Sequence, residues 1–361
     1  MKYIIVFLLF CVSEIFSQTP VRIAVDGLSH DHIHGLLRDI EQRKDIQLVG
    51  IAEKNKDLVD RLAAQYHFDK NMVYEDLAEM VEKVKPQGVV AFNSIYDHLH
   101  TVEICAPRGI HVMVEKPLAV SLEHAEKMDR LAKENHIYLL TNYETSWYPS
   151  NYYAFDMAVN QQKTGAMNKV LINDGHKGPV EIGCSKEFLS WLTDPVLNGG
   201  GAVIDFGCYG ANLATWLMQN ERPQSVTAIL QTLKPKVYPK VDDMATIILT
   251  YPHLQAIIQG SWNWPVDRKD MEIYGKEGYV KALNSSDVEF RLNRNTPSEF
   301  LKITEFPLDV RDPFSYFAKV IRGEITVKPT DLASLENNLI VVEILDAAKR
   351  SAREGRTVYF E

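Results

Sequence analysis

The sequence has no basic excess, no charge run, no low-complexity tract and no internal repeat. Its 39 Lys and Arg stand against 48 Asp and Glu, giving a formal net charge of −9. That balance offers no basic surface, so nucleic acid is not an expected partner. Cysteine is also scarce, with four in 361 residues, and Cys11 falls in the N-terminal leader. The remaining Cys105, Cys184 and Cys208 cannot form a paired framework, so each is expected to be a buried structural residue. No apolar run approaches the ~20 residues of a membrane span. The run Ile4 to Val12 follows a single Lys2 and gives way to Ser13-Glu14, which predicts a secretory signal cleaved near Ser17-Gln18. The expected location is therefore exported and periplasmic, with no membrane span after cleavage. No twin arginine, the mark of export in a prefolded state, accompanies it.

What is present fits two domains. Strands are predicted at Val21–Val25, Ile46–Ala52, Gly88–Phe92, Ile110–Val114 and Ile137–Leu140. Helices alternate with them: Lys56–Tyr66 capped by Asn55, Tyr74–Val84, His98–Ala106, and one running from the Ser121 cap through Lys133. This alternation implies an α/β domain with a parallel Rossmann-type sheet and helices on both faces. Beyond Asn142 the texture changes. Alternating runs at 226–233, 245–251, 254–259, 271–274 and 288–292, separated by turns, predict a mostly antiparallel sheet in an α+β domain. The expected organisation is a signal peptide at 1–18, a dinucleotide-binding domain at 19–142 and a substrate and oligomerisation domain at 143–361. The last helix, 334–354, carries an apolar stripe (Leu339, Val342, Ile344, Leu345) expected to pack back on the first domain.

Ligands of such sheets bind beyond the carboxyl ends of the strands, and the chemically interesting residues lie there. The first turn, Gly27 to Gly35, follows a strand and opens a helix, a context suited to pyrophosphate. Ser29 occupies the place of the second glycine and His32 that of the third. Ser29 and His30 are candidate phosphate contacts, and His32 is expected to crowd the helix unless the helix is displaced. Glu53, ending the second strand, suits a ribose diol and favours NAD over NADP. Asn93, Ser94 and His98 follow the strand Gly88–Phe92 as candidate contacts to the nicotinamide-side ribose. Of His30, His32 and His34, only His30 and His34 are expected to share a helical face, with no third ligand evident, so no metal site is assigned.

Glu115-Lys116-Pro117 comes directly after the strand ending at Val114. Here the chain resembles the Gfo/Idh/MocA oxidoreductase family, whose members carry this tripeptide after the corresponding strand. The resemblance continues through Asn142-Tyr143, His176-Lys177-Gly178-Pro179, Gly199-Gly200-Gly201 and Asp205 to Tyr209. It implies that Lys116 contacts both nicotinamide and substrate, with Glu115 beside it and Pro117, commonly cis, aiming it. It further implies Asp205 and Tyr209 as catalytic partners, Tyr209 resembling the glucose–fructose oxidoreductase variant, and Tyr143, Trp147 and His176 as substrate contacts. Trp191, Trp262 and Trp264 lie in segments that line the family's cleft. For Tyr209 to act as a base, Lys116 is expected to lower the phenol's pKa. The implied activity is hydride transfer between NAD and a sugar, cyclitol or glycoside hydroxyl, in a homo-oligomer. Two alternatives stay open: a glycosidase working by transient oxidation and elimination, and a sugar-binding relative that has lost NAD.

Overall fold

Six parallel strands form the first sheet in the order β3-β2-β1-β4-β5-β6. They are β1 (Val21–Asp26), β2 (Ile46–Ala52), β3 (Val73–Tyr74), β4 (Gly88–Ala91), β5 (His111–Glu115) and β6 (Leu139–Asn142). The computed structural model describes residues 19–304 and 312–360, so the leader expected at 1–18 lies outside the described residues. Each strand alternates its core contacts. Val21, Ile23, Val25, Val90, Phe92 and Met113 pack on one side of the sheet, while Ala24, Val89, Ala91, Val112 and Val114 pack on the other. Two apolar faces are what a parallel sheet between helices demands. The order reverses between β1 and β4, which opens a crevice at their carboxyl ends.

Local signals set the helix boundaries. Asn55 accepts from Leu58 N at 3.1 Å and starts the helix Lys56–Tyr66. Asp76 accepts from Glu79 N at 2.8 Å, so the next helix begins at Leu77, and Tyr74 belongs to β3 rather than to the helix expected there.

The second sheet has nine strands in the order β14-β13-β12-β11-β7-β10-β9-β8-β15. These are β7 (Met167–Gly175), β8 (Ser225–Gln231), β9 (Met244–Thr250), β10 (Gln255–Ser261), β11 (Arg268–Gly275), β12 (Tyr279–Ala282), β13 (Asp287–Arg291), β14 (Glu299–Lys302) and β15 (Val358–Tyr359). It is antiparallel except where β7 runs parallel to β10. Its inner face, including Val170, Ile172, Ile247, Leu249, Ile258 and Ile273, packs with the helix Gly207–Leu217 in one core. Cys208 therefore lies in a helix, not in the turn its flanking glycines suggest. Cys105 and Cys208 are buried and Cys184 is half-buried, all as free thiols.

Two helices bind the halves together. Leu335–Glu354, capped by Ser334 and ended by Gly355 at φ 64°, divides its apolar surface. Leu335, Leu339 and Val342 join the first domain's core, whereas Ile340, Val341, Ile344 and Leu345 join the second's. The first domain thus takes only part of the stripe assigned to it. Pro313–Ile321, which the sequence patterns did not single out, returns to the first sheet and buries Phe314, Phe317 and Val320 beside Phe92 and Ile23. Arg43 fastens it, donating to Asp312 at 2.5 Å, to Ser315 at 2.8 Å and to Asp45 at 2.6 Å. Phe317 is fully buried. Phe317→Ala is expected to cost roughly 3–5 kcal/mol in urea denaturation. A cost below ~1 kcal/mol, the range of surface changes, would show that this helix is not part of the core.

Candidate active site at the domain junction

Lys116 leaves the end of β5 through a cis Lys116–Pro117 peptide and is 5% exposed. Its Nζ donates to Asp205 Oδ1 at 2.5 Å and to the Asp205 carbonyl at 3.1 Å. The second Asp205 oxygen accepts from Trp262 Nε1 at 2.9 Å. Burial alone would neutralise both partners. Each instead holds the other charged: Asp205 keeps Lys116 above the ordinary lysine value, and Lys116 keeps Asp205 below the ordinary carboxylate value. Asp205 is presented by the triple glycine. A Cβ on Gly201 would sit 1.8 Å from the Asp242 carbonyl oxygen, so only glycine allows this approach. Asp242 fixes the segment from below, accepting from Gly201 N at 2.9 Å and from Val203 N at 2.7 Å.

Tyr209 follows one turn later and is 1% exposed. Lys116 Nζ lies over its ring face, 5.1 Å from the centroid, and not at its hydroxyl. Burial, with Glu144, Asp174 and Asp205 nearby, pushes the phenol well above its ordinary value. The expected lowering by Lys116 is therefore corrected, because that charge is committed to Asp205. Tyr143 packs edge-on to Tyr209 at 5.4 Å between centroids. His176, half-buried at the end of β7, packs edge-on to Phe206 at 4.8 Å and lies within electrostatic range of Asp205. Three charged residues were missed: Glu144, Lys269 and Asp174. Lys269 pairs with Glu144 and lies 4.9 Å from the Tyr209 centroid. Asp174 is as buried as Tyr209.

A cavity of ≈ 260 Å³ opens at the β1–β4 crevice. Gly27, Ser29, Glu53 and Asn93 line it, together with Asp26, Glu75, Asp76 and His100. Gly27 stands at φ 83°, and a Cβ there would lie 2.7 Å from Asn93, so the turn is as tight as a phosphate approach needs. Glu53 accepts from Leu28 N and Asn55 N, both at 2.8 Å, which aims its carboxylate. The Asn93 amide oxygen is buried and without a partner. A tight turn, an aimed carboxylate and an orphaned amide oxygen fit a dinucleotide, Glu53 facing its ribose. From the second domain, Trp191 Nε1 donates to Ser29 Oγ at 3.1 Å and Ser185 N to Asp31 at 2.9 Å, clamping the turn.

His32 does not crowd the helix; it turns to Glu115, with Nδ1 3.0 Å from Oε2. Glu115 also accepts from Asn142 Nδ2 at 2.8 Å. Burial would raise this carboxyl, yet His32, Asn142 and Lys116 hold it below its ordinary value. His30, His32 and Glu115 each place one ligand atom within 4.8 Å of the others. The pairing of His30 with His34 is thus corrected: His34 bonds the Tyr66 hydroxyl at 2.8 Å, and Glu115 is the third group that the sequence hid. Burial keeps His30 neutral, and its Nδ1 accepts from His32 N at 3.2 Å. The proton must then sit on Nε2, which lies 3.9 Å from Glu115 and cannot ligate while protonated. In this arrangement His32 links the other two, its N–H donating to His30 and its ring nitrogen bonded to Glu115.

Three expected contacts face elsewhere. Ser94 donates to Asp97 at 2.6 Å and caps a short helix. His98 is fully buried, with Nδ1 3.1 Å from the Leu118 carbonyl, under the loop that carries Lys116. Trp147 donates to Asn142 Oδ1 at 2.8 Å and packs on Tyr316.

Residues 22–143 match the oxidoreductase family with an NAD-binding Rossmann fold, and residues 156–281 match the GFO/IDH/MocA C-terminal domain. The chain belongs to the Gfo/Idh/MocA oxidoreductase family. It is 24% identical to a trans-1,2-dihydrobenzene-1,2-diol dehydrogenase of Xenopus tropicalis over 84% of this chain and 89% of that protein. A scyllo-inositol 2-dehydrogenase (NADP(+)) of Bacillus subtilis is 22% identical over 93% of this chain and 94% of its own length. Among solved structures, an inositol dehydrogenase homologue from Azotobacter vinelandii, complexed with NAD+, superposes with a TM-score of 0.81 at 19% identity. That match covers 95% of this chain and 98% of the other. Family membership makes this an NAD-binding oxidoreductase of the sugar and cyclitol class.

Asp26, at the floor of the cavity, supplies a pH test. Burial raises its carboxyl to about 6, against the lowering by the Thr101 hydrogen bond. Its folded-state pKa lies above the unfolded one, so its protonation stabilises the fold at low pH and that stabilisation fades as pH rises from about 4 to about 6. Asp26→Asn is therefore expected to gain stability relative to the parent across this window, by up to roughly 3 kcal/mol. Comparing variant with parent cancels the buried histidines, whose lowered values push the parent's own curve the other way. A pH-independent difference in denaturation free energy would refute the assignment.

Proposed function

We propose that the protein transfers hydride between NAD and a hydroxyl or carbonyl carbon of a sugar, cyclitol or glycoside, with Lys116, Asp205 and Tyr209 as its catalytic residues. The observation that carries this is the Lys116–Asp205 pair beside Tyr209, held where the two domains meet. When bound, the nicotinamide supplies a hydride acceptor or donor. Lys116, kept cationic by Asp205, stabilises negative charge on the substrate oxygen. Tyr209, kept un-ionised by burial, gives a proton to that oxygen when a carbonyl is reduced and takes it back when an alcohol is oxidised. The pocket thus rests in its acid form. NAD is preferred over NADP because Glu53, Glu75 and Asp76 line the cavity, where a 2′-phosphate would meet three carboxylates against the bases Lys54 and His100 and the Lys56 that pairs with Glu75 at 2.9 Å. Export is inferred from Lys2 and the apolar run Ile4 to Val12. Homo-oligomerisation is inferred from the outer sheet face, where Ile248 and Ile257 are only half-buried.

Titration of the Trp fluorescence with NAD and NADP is expected to show tighter binding of NAD. Turnover is to be sought with myo-inositol, D-xylose and methyl β-D-glucopyranoside. Lys116→Ala and Tyr209→Phe should each lose about 10²–10⁴-fold in kcat while binding NAD as the parent does. Full activity in either variant removes that residue from the mechanism. Oxidation should accelerate as pH rises and reduction should slow, since the acid form must lose a proton only in the first direction. The reverse pH dependence would contradict the protonation states assigned to Lys116 and Tyr209.

A further inference from the structure

A cavity of ≈ 710 Å³ opens where the last helix, the start of the helix Leu122–Glu134 and the end of β15 come together. It shares no lining residue with the cofactor crevice, and Lys116, Asp205 and Tyr209 take no part in it. Leu122, Ala347 and Phe360 supply its apolar lining. A concave surface of this size, part apolar and part charged, has the dimensions of a small-molecule site.

Its charged groups divide into spent and unspent. Glu343 accepts from Arg222 at both oxygens, at 2.7 and 2.8 Å. Asp346 accepts from Leu122 N at 2.8 Å and pairs with Lys349 at 2.9 Å. Lys349 is committed further to the carbonyls of Val120 and Gly199. Both acids and the lysine are therefore satisfied. Arg350 has no partner among the described residues, and Arg353 has only Glu354, at 3.8 Å. Two guanidinium groups thus line the cavity with their forked donors free, on a chain of formal net charge −9. Cations near a helix C-terminus also answer the helix dipole. That explains their sign but not Tyr359, which shares the cavity with them and is 73% exposed.

We infer that this cavity is a second ligand site, which takes a small anion carried on a ring. Arg350 and Arg353 hold the carboxylate or phosphate, for which a guanidinium fork is the matching donor. The ring lies against Tyr359, whose exposed face suits the C–H side of a sugar. Sugar acids and sugar phosphates share this chemistry. The site stands apart from the one assigned to hydride transfer, so it holds or fails independently of that reading.

The test is calorimetric titration of the full chain, with NAD present, by D-glucuronate, D-glucose 6-phosphate, D-glucose and inorganic phosphate. At least one ring anion is expected to bind about tenfold or more tightly than both D-glucose and inorganic phosphate, and the tighter of the two names the source. Arg350→Ala should weaken that binding by roughly tenfold, the loss of a charge-assisted hydrogen bond, and Tyr359→Ala by roughly three- to tenfold. Both side chains are exposed, so each variant should melt within about 2 °C of the parent. No binding of either ring anion tighter than ~10 mM would overturn the inference. Binding left unchanged by either substitution would overturn it too, by placing the ligand elsewhere. Inorganic phosphate binding as tightly as D-glucose 6-phosphate would mean an adventitious ion only and would also refute it.

Discussion

An ammonium and a carboxylate buried against each other at a domain boundary set the terms for everything around them. Such a pair is unfavourable unless each remaining lone pair and proton also finds a partner. Lys116 and Asp205 meet that condition only because several elements converge. Trp262 supplies the N–H for the second carboxylate oxygen, and the Asp205 carbonyl takes a further lysine proton. The rings of Phe206 and Tyr209 cover the cation, at 5.9 and 5.1 Å from their centroids. The triple glycine and Asp242 exist in this arrangement to hold Asp205 at that height. The pair also decides the state of its neighbour: with its charge spent on Asp205, the lysine cannot ionise Tyr209. The pocket is therefore built to hold protons at rest.

The cofactor turn shows the same economy. A third glycine normally lets a helix approach its strand. Here His32 stands in that place without strain, because its ring leaves the helix–strand contact and reaches over the end of β5 to Glu115. Glu115 is thereby tied to the first turn through His32 and to β6 through Asn142. The residue preceding Lys116 is anchored on both sides, which fixes the direction in which Lys116 departs. Departure from the glycine pattern is thus compensated within one hydrogen-bonded cluster.

Most of the first domain was legible because strands buried on both faces and capped amphipathic helices leave strong local signals. Asn55 and Ser121 marked helix starts from their side-chain chemistry alone. Lys116, Asp205 and Tyr209 were legible only together, as a spaced set matched to a family. What was hidden follows from non-local physics. β7 escaped notice because Asn168, Lys169, Asn173 and Asp174 interrupt its apolar alternation, although it lies at the centre of its sheet. Asp174 itself left a signal, an acid in the third position of a Val-x-Ile-x row, but its meaning depends on which lysines are already paired. Glu115 as the partner of His32 spans 83 residues and has no local signature at all.

The helix Pro313–Ile321 carries the last consequence. It belongs by sequence to the second half, yet it packs on one of the two apolar faces of the first sheet, around Phe92 and Val90. Without it, Val90 and Phe92 would lose Phe314 and Phe317 as core neighbours, leaving the helices that carry Ile33, Leu36 and Leu58 to cover that face alone. Lys349, on the final helix, donates to the carbonyls of Val120 and Gly199 at 3.1 and 3.3 Å, linking the loop after Lys116 to the triple glycine before Asp205. A division of the chain at residue 142 therefore separates sequence patterns, not folding units. The first domain is completed by residues that arrive some 170 positions later. Joining the halves through their cores, rather than through a linker, is what permits a 2.5 Å contact between a lysine of one and an aspartate of the other.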